Sequence, residues 1–452
     1  MEVLFFMNTR NDNSKILEIY KMKLFGELVK AVWNDDIEDI ENLPNKILNE
    51  DLKDNLNNYF SGKFDKDTMV NLIRVTMGLD VTEDTDKNLK ESLHEAVNLD
   101  EVKRPIISVI SDACKYCDEN NKEDESCKIR SKHINCNEED VCSACGDCVS
   151  RCKLGAISDK IEFIPMIKLL KDIKSPVYAI VAPAFVGQFG KDVSPGKLRT
   201  ALKKIGFEDM IEVALAADML TAKEAYDYYE HMKKDEEGCF ITSCCCPIWV
   251  SLIQNSFPQI LENVSPSVSP MIACGRAVKI LNPDAKVVFI GPCTAKKSEA
   301  AKKELKGAVD YVLTFEEIMA LFEAFDIDLA KCSNEDIDDA SIFGRGFGAA
   351  GGLTKAIENY LAEKGIGVNF EPVKISGSRE IKKTMTMANL GKLEGNFIEG
   401  MMCEGGCING SGKFLSGAKV KATFDRKNSQ STKKSVLANT KIKDFSNINL
   451  EK

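Results

Sequence analysis

Long apolar runs and an excess of basic residues are both missing from this sequence. No run of 18 apolar residues occurs, and the opening MEVLFFMNTR has only a short apolar stretch without a cationic leader. A membrane span and a signal peptide are therefore not expected, and we predict a cytoplasmic location. Lys and Arg number 60 against 70 Asp and Glu, for a net charge of -10. A general nucleic-acid binder needs a basic surface, so nucleic acid is not an expected partner.

Histidine is scarce, whereas cysteine is abundant. The 452 residues include three histidines, His94, His133 and His231, and 17 cysteines. A site built mainly from imidazoles is therefore not expected, and thiolate ligands favour iron-sulfur clusters or zinc. In a reducing compartment, clustered cysteines indicate metal or redox sites rather than a disulfide framework. Residues 1–105 contain no cysteine, which excludes a plant-type 2Fe-2S domain there.

Residues 1–105 are predicted to form a helical region of unknown role. In KILEIYKMKLFGELVKAVW, the side chains of Ile16, Tyr20, Leu24 and Leu28 recur at helical spacing. Later segments of this region alternate apolar and charged residues in the same way. The pattern predicts structure but assigns no function.

From about residue 166, short apolar strands alternate with amphipathic helices. VYAIVAP (177–183) and KVVFIGP (286–292) predict buried strands, and a further strand is predicted to end at Thr314. Alternation of this kind predicts an α/β domain with a largely parallel sheet, which we place at residues 166–415.

Residues 416–452 carry many lysines and few carboxylates. A charge run of this kind is usually a solvated face, so we predict a lysine-rich C-terminal tail. A docking site is the alternative interpretation of the same residues.

Eight cysteines fall between Cys114 and Cys152, in a segment that is dense in charge and poor in large apolar side chains. Such a segment builds little core without metal, so we predict a separate, ferredoxin-like domain at residues 106–165. Within it, CSACGDCVSRC has the Cys-x2-Cys-x2-Cys-x3-Cys spacing of ferredoxin 4Fe-4S binding. Its four cysteines are Cys142, Cys145, Cys148 and Cys152.

Four upstream cysteines complete the number of thiolates that two 4Fe-4S clusters require. They are Cys114, Cys117, Cys127 and Cys136. Since the fourth cysteine of a ferredoxin run ligates the other cluster, we assign Cys152 to the upstream set. One cluster is then expected at Cys136, Cys142, Cys145 and Cys148, and the other at Cys114, Cys117, Cys127 and Cys152. Zinc at one set is the alternative, and His133 could replace a thiolate.

Nine further cysteines lie outside this segment: Cys239, Cys244, Cys245, Cys246, Cys274, Cys293, Cys332, Cys403 and Cys407. Three groups of these cysteines lie just beyond predicted strands. FIT precedes residues 244–246, VVFIGP precedes Cys293, and FIEGMM precedes Cys403. Residues beyond the carboxyl ends of strands converge in the crevice of an open α/β sheet. Four converging thiolates would hold another cluster. Unrelated buried cysteines are the alternative.

Three motifs around these cysteines resemble the signature motifs of iron-iron hydrogenases. They are TSCCCP (242–247), PCTAKKSE (292–299) and EGMMCEGGCING (399–410). All three occur in the family's order, and the resemblance extends over about residues 105–415. The TSCCCP form and the two-cluster segment together resemble one subgroup of that family.

The resemblance implies an H-cluster, in which a cubane 4Fe-4S cluster is joined through a cysteine sulfur to a two-iron subcluster carrying carbon monoxide, cyanide and an azadithiolate bridge. The implied cubane ligands are Cys246, Cys293, Cys403 and Cys407, with Cys407 supplying the bridging sulfur. The resemblance also implies that Lys296 donates a hydrogen bond to an iron-bound cyanide. Glu299, in the same motif, is expected among the catalytic residues.

The implied reaction is the reversible conversion of H2 into two protons and two electrons, with the two 4Fe-4S clusters as the electron exit. Cys245 matches the family's non-ligating cysteine, and a free thiol, with a pKa of about 8.5, can accept and pass protons. Glu224 and Asp227, at i and i+3 of a predicted helix, match the family's relay carboxylates. Ser269 matches a relay hydroxyl. Solvated helix carboxylates are common, so simple exposure is the alternative for both acids.

Several positions depart from the family's pattern. Gly291 stands where methionine is common, Met402 where a small residue is common, and Cys244 where serine is usual. We therefore predict a repacked pocket and assign no role to Cys244. The glycines of GRGFGAAGG (344–352) resemble a dinucleotide loop, but no strand leads into them, so we predict tight packing near the cluster.

The resemblance implies as partners H2, protons, a ferredoxin-type or flavodoxin-type electron carrier, and the maturation proteins that build the cofactor. Two other functions stay open. A hydrogen sensor or low-activity regulatory hydrogenase would use the same cluster at low turnover, and a non-catalytic relative would carry ordinary clusters for iron-sulfur assembly. Cys245 beside Cys246 favours catalysis, because assembly relatives can forgo the relay thiol.

Overall fold

The structure is a computed structural model in which the chain divides into two compact units. The first comprises residues 1–173 and 316–327, and the second comprises residues 174–315 and 328–452. The described residues are 14–36, 40–43, 66–81, 88–99, 101–102, 104–110, 142, 144–152, 156–172, 174–234, 238–242, 244–445 and 447–452.

Helices and one small sheet build the described part of the first unit. The helices are α1 (Ser14–Trp33), α2 (Lys66–Thr76), α3 (Leu89–Val97), α4 (Asp147–Arg151) and α5 (Phe163–Lys171). The face predicted for α1 is buried at Leu24 and Leu28. Strands β1 (Ile107–Val109) and β2 (Ile157–Asp159) pair antiparallel. Because β1 precedes the cysteine-rich segment and β2 follows it, their pairing brings the two ends of that segment together.

Seven strands of the second unit form two parallel sheets. They are β3 (Val177–Val181), β4 (Asp209–Glu212), β5 (Phe240–Ile241), β6 (Lys286–Gly291), β7 (Tyr311–Thr314), β8 (Pro372–Ser376) and β9 (Phe397–Met401). The first sheet has the order β4-β3-β6-β7 and the second has the order β5-β9-β8. Strand β3 is apolar throughout and largely buried, as a parallel strand covered on both faces requires.

The register of both sheets aligns the carboxyl ends of their strands. In the first sheet, Val181 pairs with Ile290, and Gly291 pairs with Thr314. In the second sheet, Ile241 pairs with Ile398. The loops that follow β5, β6 and β9 therefore leave their sheets at the ends from which parallel sheets usually present ligand-binding residues.

Ten further α-helices lie among the described residues that follow, and the one that begins at Phe315 belongs to the first unit from residue 316 on. They are α6 (Pro195–Ile205), α7 (Ala214–Lys233), α8 (Pro247–Ser256), α9 (Pro270–Leu281), α10 (Ala295–Ala300), α11 (Phe315–Ala324), α12 (Ile342–Gly346), α13 (Gly352–Lys364), α14 (Ser378–Asn389) and α15 (Gly417–Ser429). Local rules set their ends. The Ser194 hydroxyl accepts a hydrogen bond from the Lys197 N–H at the start of α6, and Gly206, at a positive φ, ends that helix.

The described residues of the segment 416–452 are folded, in contrast to the predicted solvated tail. Helix α15 buries Val420 and Phe424, and Val436 is fully buried. Asn439 lies in the interior, where its amide donates a hydrogen bond to Asp218 (2.7 Å). The apolar positions four residues apart in α15 outweigh the lysines between them, because one buried face is enough to dock a helix.

The predicted α/β class with parallel strands is confirmed by the two sheets and their covering helices. The prediction of one sheet is the part that changes, since the strands preceding the cysteines belong to two sheets. None of the described helices combines the length and apolar character needed to cross a bilayer.

Candidate metal centre and proton path

Three loops of the second unit place four cysteine thiols close enough to interact electrostatically. Cys246 follows β5, Cys293 follows β6, and Cys403 and Cys407 follow β9. Burial raises the pKa of Cys407 well above its ordinary value, and the neighbouring sulfurs of Cys403, Cys293 and Cys246 raise it further. Thiols that influence one another in this way lie close together. The structure therefore brings together the four cysteines predicted to bind the cubane.

The first loop is fixed by the helix that follows it. Cys246 occupies the N-cap position of α8, and Pro247 is the first residue of that helix. The indole N–H of Trp249 donates to the carbonyl of Thr242 (2.7 Å) across the loop. A Cβ at Gly400 would lie 2.5 Å from the Trp249 ring, so only glycine lets β9 approach this indole.

Backbone N–H groups at two helix N-termini point at cysteine sulfurs. Those of Ile248 and Trp249 at the start of α8, and that of Met402 in the third loop, donate to Cys246 and counteract the rise in its pKa that burial causes. At Cys293, burial raises the pKa to about 12, while the N–H groups of α10 lower it. Such N–H groups stabilise thiolates, the form in which cysteine binds iron.

The second and third loops are joined directly. The N–H of Gly412 donates to the carbonyl of Pro292 (2.8 Å), and the hydroxyls of Thr294 and Ser411 lie 3.0 Å apart. A Cβ at Gly410 would lie 2.3 Å from the Pro292 carbonyl oxygen. Residues 410–412, at and just after the end of the third motif, thus tie the loop of Cys293 to the loop of Cys407.

The glycine segment 344–352 packs beneath the third loop, as the sequence predicted. The N–H of Ala350 donates to the carbonyl of Gly405, and the N–H of Ile408 donates to that of Gly348. Gly406 has a φ of 102°, and a Cβ there would lie 2.4 Å from the Ala350 nitrogen. The close backbone contact leaves no room for a side chain at Gly406. Together with the two hydrogen bonds, it fixes the loop that carries Cys403 and Cys407.

The space beside Gly291 is filled by a neighbouring aromatic ring. A Cβ at this residue would lie 2.5 Å from the ring of Phe289, which fills the adjacent space. The side chain missing at Gly291 is therefore replaced by an aromatic ring two residues earlier in β6.

Lys296 places a buried cation among the thiols. Its ammonium donates to the Oε2 of Glu299 (2.5 Å), and both residues are buried. Burial lowers the pKa of Lys296, but Glu299 and the sulfurs of Cys293 and Cys407 outweigh it, so the net shift is upward. A lysine that stays charged can donate hydrogen bonds to an anionic group in the pocket.

The donor set consists of four cysteine thiols, the ligands that a 4Fe-4S cluster takes. Among the described residues, no three His, Cys, Asp or Glu side chains lie close enough to hold one metal ion. Four thiols around a pocket match a cubane, because each can bind a different iron atom. The buried ammonium of Lys296 offsets the negative charge that four thiolates bring together.

Cys244 and Cys245 lie beside these ligands. Their sulfurs are 3.6 Å apart, and Cys244 is completely buried whereas Cys245 is half-buried. The hydrogen bond with Cys245 and burial together raise the pKa of Cys244 well above its ordinary value. Cys244 is therefore held as a neutral thiol, and Cys245 is the more accessible of the two.

Glu224 is fully buried on α7. Its Oε1 accepts a hydrogen bond from the hydroxyl of Ser265 (2.5 Å), whereas its Oε2 has no partner among the described residues. Burial raises the pKa of Glu224 to about 7, although the hydroxyls of Ser265 and Ser267 lower it in part. A carboxyl group with this pKa changes protonation near neutral pH, as a proton carrier must.

The other two predicted relay groups have different surroundings. Asp227 is partly exposed and pairs with Lys223 (2.5 Å) one turn earlier on α7. The Ser269 hydroxyl accepts a hydrogen bond from the Ile272 N–H and caps α9. The hydroxyls at Glu224 are thus those of Ser265 and Ser267, which were not among the residues predicted from the sequence. The alternation of serines in VSPSVSP (264–270) was the available signal.

Of the predicted ferredoxin-like domain at residues 106–165, the structure describes residues 106–110, 142, 144–152 and 156–165. Cys142, Cys148 and Cys152 pack around a small core that includes Ala144 and Ile157. The Ala144 N–H donates to the sulfur of Cys142 (3.4 Å). Cys145, the second cysteine of this run, precedes α4. Cys114, Cys117, Cys127, Cys136 and His133 lie outside the described residues, so the predicted partition stays a prediction.

Known proteins are similar to the part of the chain that carries the four cysteines of the second unit. The family described as iron only hydrogenase large subunit, C-terminal domain, matches residues 175–411. Iron hydrogenase 1 of Clostridium pasteurianum is 29% identical over 310 residues, which are 58% of this chain and 54% of that protein. The chain thus spans about half the length of this curated relative.

One solved structure shares the fold, and one further curated protein shares part of the sequence. A solved iron-iron hydrogenase variant of Chlamydomonas reinhardtii superposes with a TM-score of 0.52 at 20% identity and covers 62% of this chain and 92% of that one. The cytosolic Fe-S cluster assembly factor of Xenopus tropicalis is 21% identical over 360 residues, 65% of this chain and 74% of that protein.

Proposed function

The chain belongs to the iron-only hydrogenase large-subunit family, and we propose that it catalyses the reversible conversion of H2 into protons and electrons at an H-cluster. The observation that carries this proposal is the proximity of four buried or half-buried thiols, those of Cys246, Cys293, Cys403 and Cys407, to the buried ammonium of Lys296 and to the thiol of Cys245. An ordinary 4Fe-4S site needs only the first four. The additional groups at Lys296 and Cys245 have chemistry suited to a reacting centre.

Four residues would hold the cofactor: Cys246, Cys293, Cys403 and Cys407. When bound, the H-cluster supplies an open iron site that activates H2. Lys296, kept in place by Glu299, would donate a hydrogen bond to an anionic ligand of the cofactor. The pair is buried, so the ammonium is shielded from water that would weaken this interaction.

Protons would travel between the pocket and the surface through Cys245 and Glu224. Cys245 is close enough to Cys407 to affect the pKa of that thiol. Cys244, which contacts Cys245, also interacts electrostatically with Glu224. The pKa of about 7 at Glu224 lets this carboxyl accept and release a proton at neutral pH. Asp227 and the capping hydroxyl of Ser269 stand as the outer members of this proposed path.

Electrons would leave through two 4Fe-4S clusters in a ferredoxin-like domain at residues 106–165. The ligands proposed for them are the eight cysteines from Cys114 to Cys152, in the partition predicted above. A ferredoxin-type or flavodoxin-type protein would accept the electrons, and maturation proteins would build the H-cluster. The ferredoxin spacing of the run from Cys142 to Cys152 supports this route.

A role in iron-sulfur assembly is the second candidate, because a cytosolic assembly factor shares sequence over 65% of the chain. Under this alternative, the four-thiol pocket would bind an ordinary cubane, and Cys245 would have no reacting group to serve. The buried pair of Lys296 and Glu299 beside that pocket favours the catalytic proposal.

Infrared spectroscopy after co-production with hydrogenase maturation proteins tests the proposed function. We expect carbonyl and cyanide bands together with H2 turnover, whereas protein produced without the maturation proteins should show neither. Iron-sulfur absorption without these bands would overturn the hydrogenase proposal and favour assembly work. The bands with negligible turnover would point instead to a hydrogen sensor.

Replacing Glu224 with glutamine is expected to change the pH dependence of stability. The pKa of Glu224 is raised in the folded state, so its contribution to stability is fully present below the unfolded value of about 4.3 and is lost as pH rises through about 7. Relative to Glu224→Gln, the wild type should lose up to about 3 kcal/mol of unfolding free energy between pH 4 and pH 8.

Urea denaturation across this pH range measures the difference. Glu358→Gln, which changes an exposed glutamate on α13, is the matched control and should show no pH-dependent difference from the wild type. Parallel stability curves for the wild type and Glu224→Gln would show that Glu224 is not titrating in the folded protein over this range.

A further inference from the structure

Residues 449–452 run antiparallel to the segment 265–268, which supplies the hydroxyls at Glu224. We call residues 449–452 the strap. Two hydrogen bonds join them: the Val268 N–H donates to the Leu450 carbonyl (2.8 Å), and the Lys452 N–H donates to the Pro266 carbonyl (3.0 Å). Together they form the antiparallel bridge between Ser267 and Glu451. The strap therefore fixes the backbone on both sides of Ser267.

Arg276 anchors the strap from α9. Its guanidinium donates to the carbonyls of Asn449 (2.6 Å) and Glu451 (2.9 Å). Hydrogen bonds from a charged donor are stronger than neutral ones, so this residue contributes much of the strap's attachment. The Asn449 side chain adds a local bond by accepting from the Glu451 N–H (2.9 Å).

The side chain of Glu451 connects the strap to the relay carboxylates on α7. It pairs with Lys223 (3.1 Å), which also pairs with Asp227 (2.5 Å). Side-chain exposure rises from 23% at Asp227 to 56% at Glu451, so this chain of charges runs from the partly buried relay to solvent. Lys223 also interacts electrostatically with Glu224.

We propose that the strap is a positioning element of the proton path: it holds Ser265 and Ser267 on Glu224, and it joins the path to solvent through Glu451. This inference rests on the proposed hydrogenase function for its biological purpose. The positioning itself is a property of the chain's own residues. It goes beyond the predicted relay, which included neither these two serines nor any residue after Ser269.

Several charged or titratable groups face Glu224 and bear on its titration. Lys223 and Asp227 act from α7, and Cys244 acts from the loop after β5. Lys452 acts from the strap and lies close enough to interact electrostatically with Glu224, Glu299 and Cys244. Displacing the strap would therefore change both the hydroxyl partners and the charges at Glu224.

The first test compares Arg276→Met with the wild type in protein that has not been loaded with the H-cluster. Loss of the charged hydrogen bonds should speed amide exchange at Val268 and Lys452 about tenfold. The protonated carboxyl band of Glu224, identified by its loss in Glu224→Gln, should titrate at lower pH, because water reaches the carboxylate. We expect its midpoint to move from about 7 toward the ordinary glutamate value of about 4.3.

A second variant, Glu451→Gln, leaves the backbone pairing in place and removes one of the two carboxylate partners of Lys223, while Asp227 remains. The less compensated ammonium should favour ionised Glu224, so the midpoint should fall by less than in Arg276→Met, with amide exchange unchanged. Asp425→Asn, which breaks the exposed pair with Lys421, is the matched control and should change neither quantity.

Unchanged Glu224 midpoints in both variants would overturn the proposal, even if amide exchange became faster in one of them. Failure of the hydrogenase function is a separate outcome, because it would appear as missing carbonyl and cyanide bands in matured wild-type protein. The strap measurements use unloaded protein and do not depend on those bands. In matured protein, both variants should also shift the pH profile of H2 turnover.

Discussion

Replacing Cys407 with alanine is expected to abolish essentially all H2 turnover in matured protein. This thiol lies among those of Cys403, Cys293 and Cys246, and the family resemblance gives its sulfur the link between the two parts of the H-cluster. The variant would leave three thiols for a cubane that needs four. Turnover, iron content and the infrared bands measure the loss, and we expect the bands to be absent.

Cys332→Ala is the matched control for this experiment. Cys332 is also buried in the second unit, and its sulfur donates to the carbonyl of Asp328 (3.5 Å). We expect this variant to lose about 1 kcal/mol of unfolding free energy and to retain turnover. Carbonyl and cyanide bands at wild-type intensity in Cys407→Ala would remove Cys407 from the proposed ligands.

The fold of the second unit was predictable where local patterns are strong. The apolar runs at 177–183 and 286–292 became β3 and β6, and the predicted strand ending at Thr314 became β7. Each is short, apolar and bounded by residues that end strands, so tertiary contacts had no competing local preference to override. The position of cysteines just beyond strand ends was predictable from the same apolar runs.

Long-range pairing was not predictable in the same way. That β5 and β9 form a sheet separate from β6 depends on contacts between residues about 150 positions apart, which no local pattern encodes. The folding of residues 416–452 likewise depends on a surface that receives Val420 and Phe424. Lysine content alone described only the exposed face of that segment.

The candidate site also has residues that were predictable from the sequence and residues that were not. Cysteines and Lys296 were predictable because metal ligands and charged donors have distinctive chemistry in fixed motifs. Ser265 and Ser267 were not, because a serine hydroxyl acquires a role only from its distance to a carboxylate on another element. Ser269 showed the better family match, yet the structure uses its hydroxyl to cap α9.

Cys245→Ser is expected to reduce H2 turnover by roughly two to four powers of ten while leaving the H-cluster in place. The hydroxyl occupies nearly the same space as the thiol, but it does not exchange protons as readily near neutral pH. Carbonyl and cyanide bands should therefore persist in the inactive variant. Electron flow is not altered directly, so the loss should appear equally in H2 production and H2 oxidation.

Cys244→Ser separates this proton-transfer role from packing. Cys244 is completely buried, and its sulfur lies 3.6 Å from that of Cys245, so a serine hydroxyl can still hydrogen-bond to the relay thiol. We expect turnover close to that of the wild type. Cys245→Asp should recover part of the activity lost in Cys245→Ser, because a carboxyl group also exchanges protons. Equal turnover in Cys245→Ser and the wild type would mean that protons reach Glu224 by a route that bypasses both cysteines.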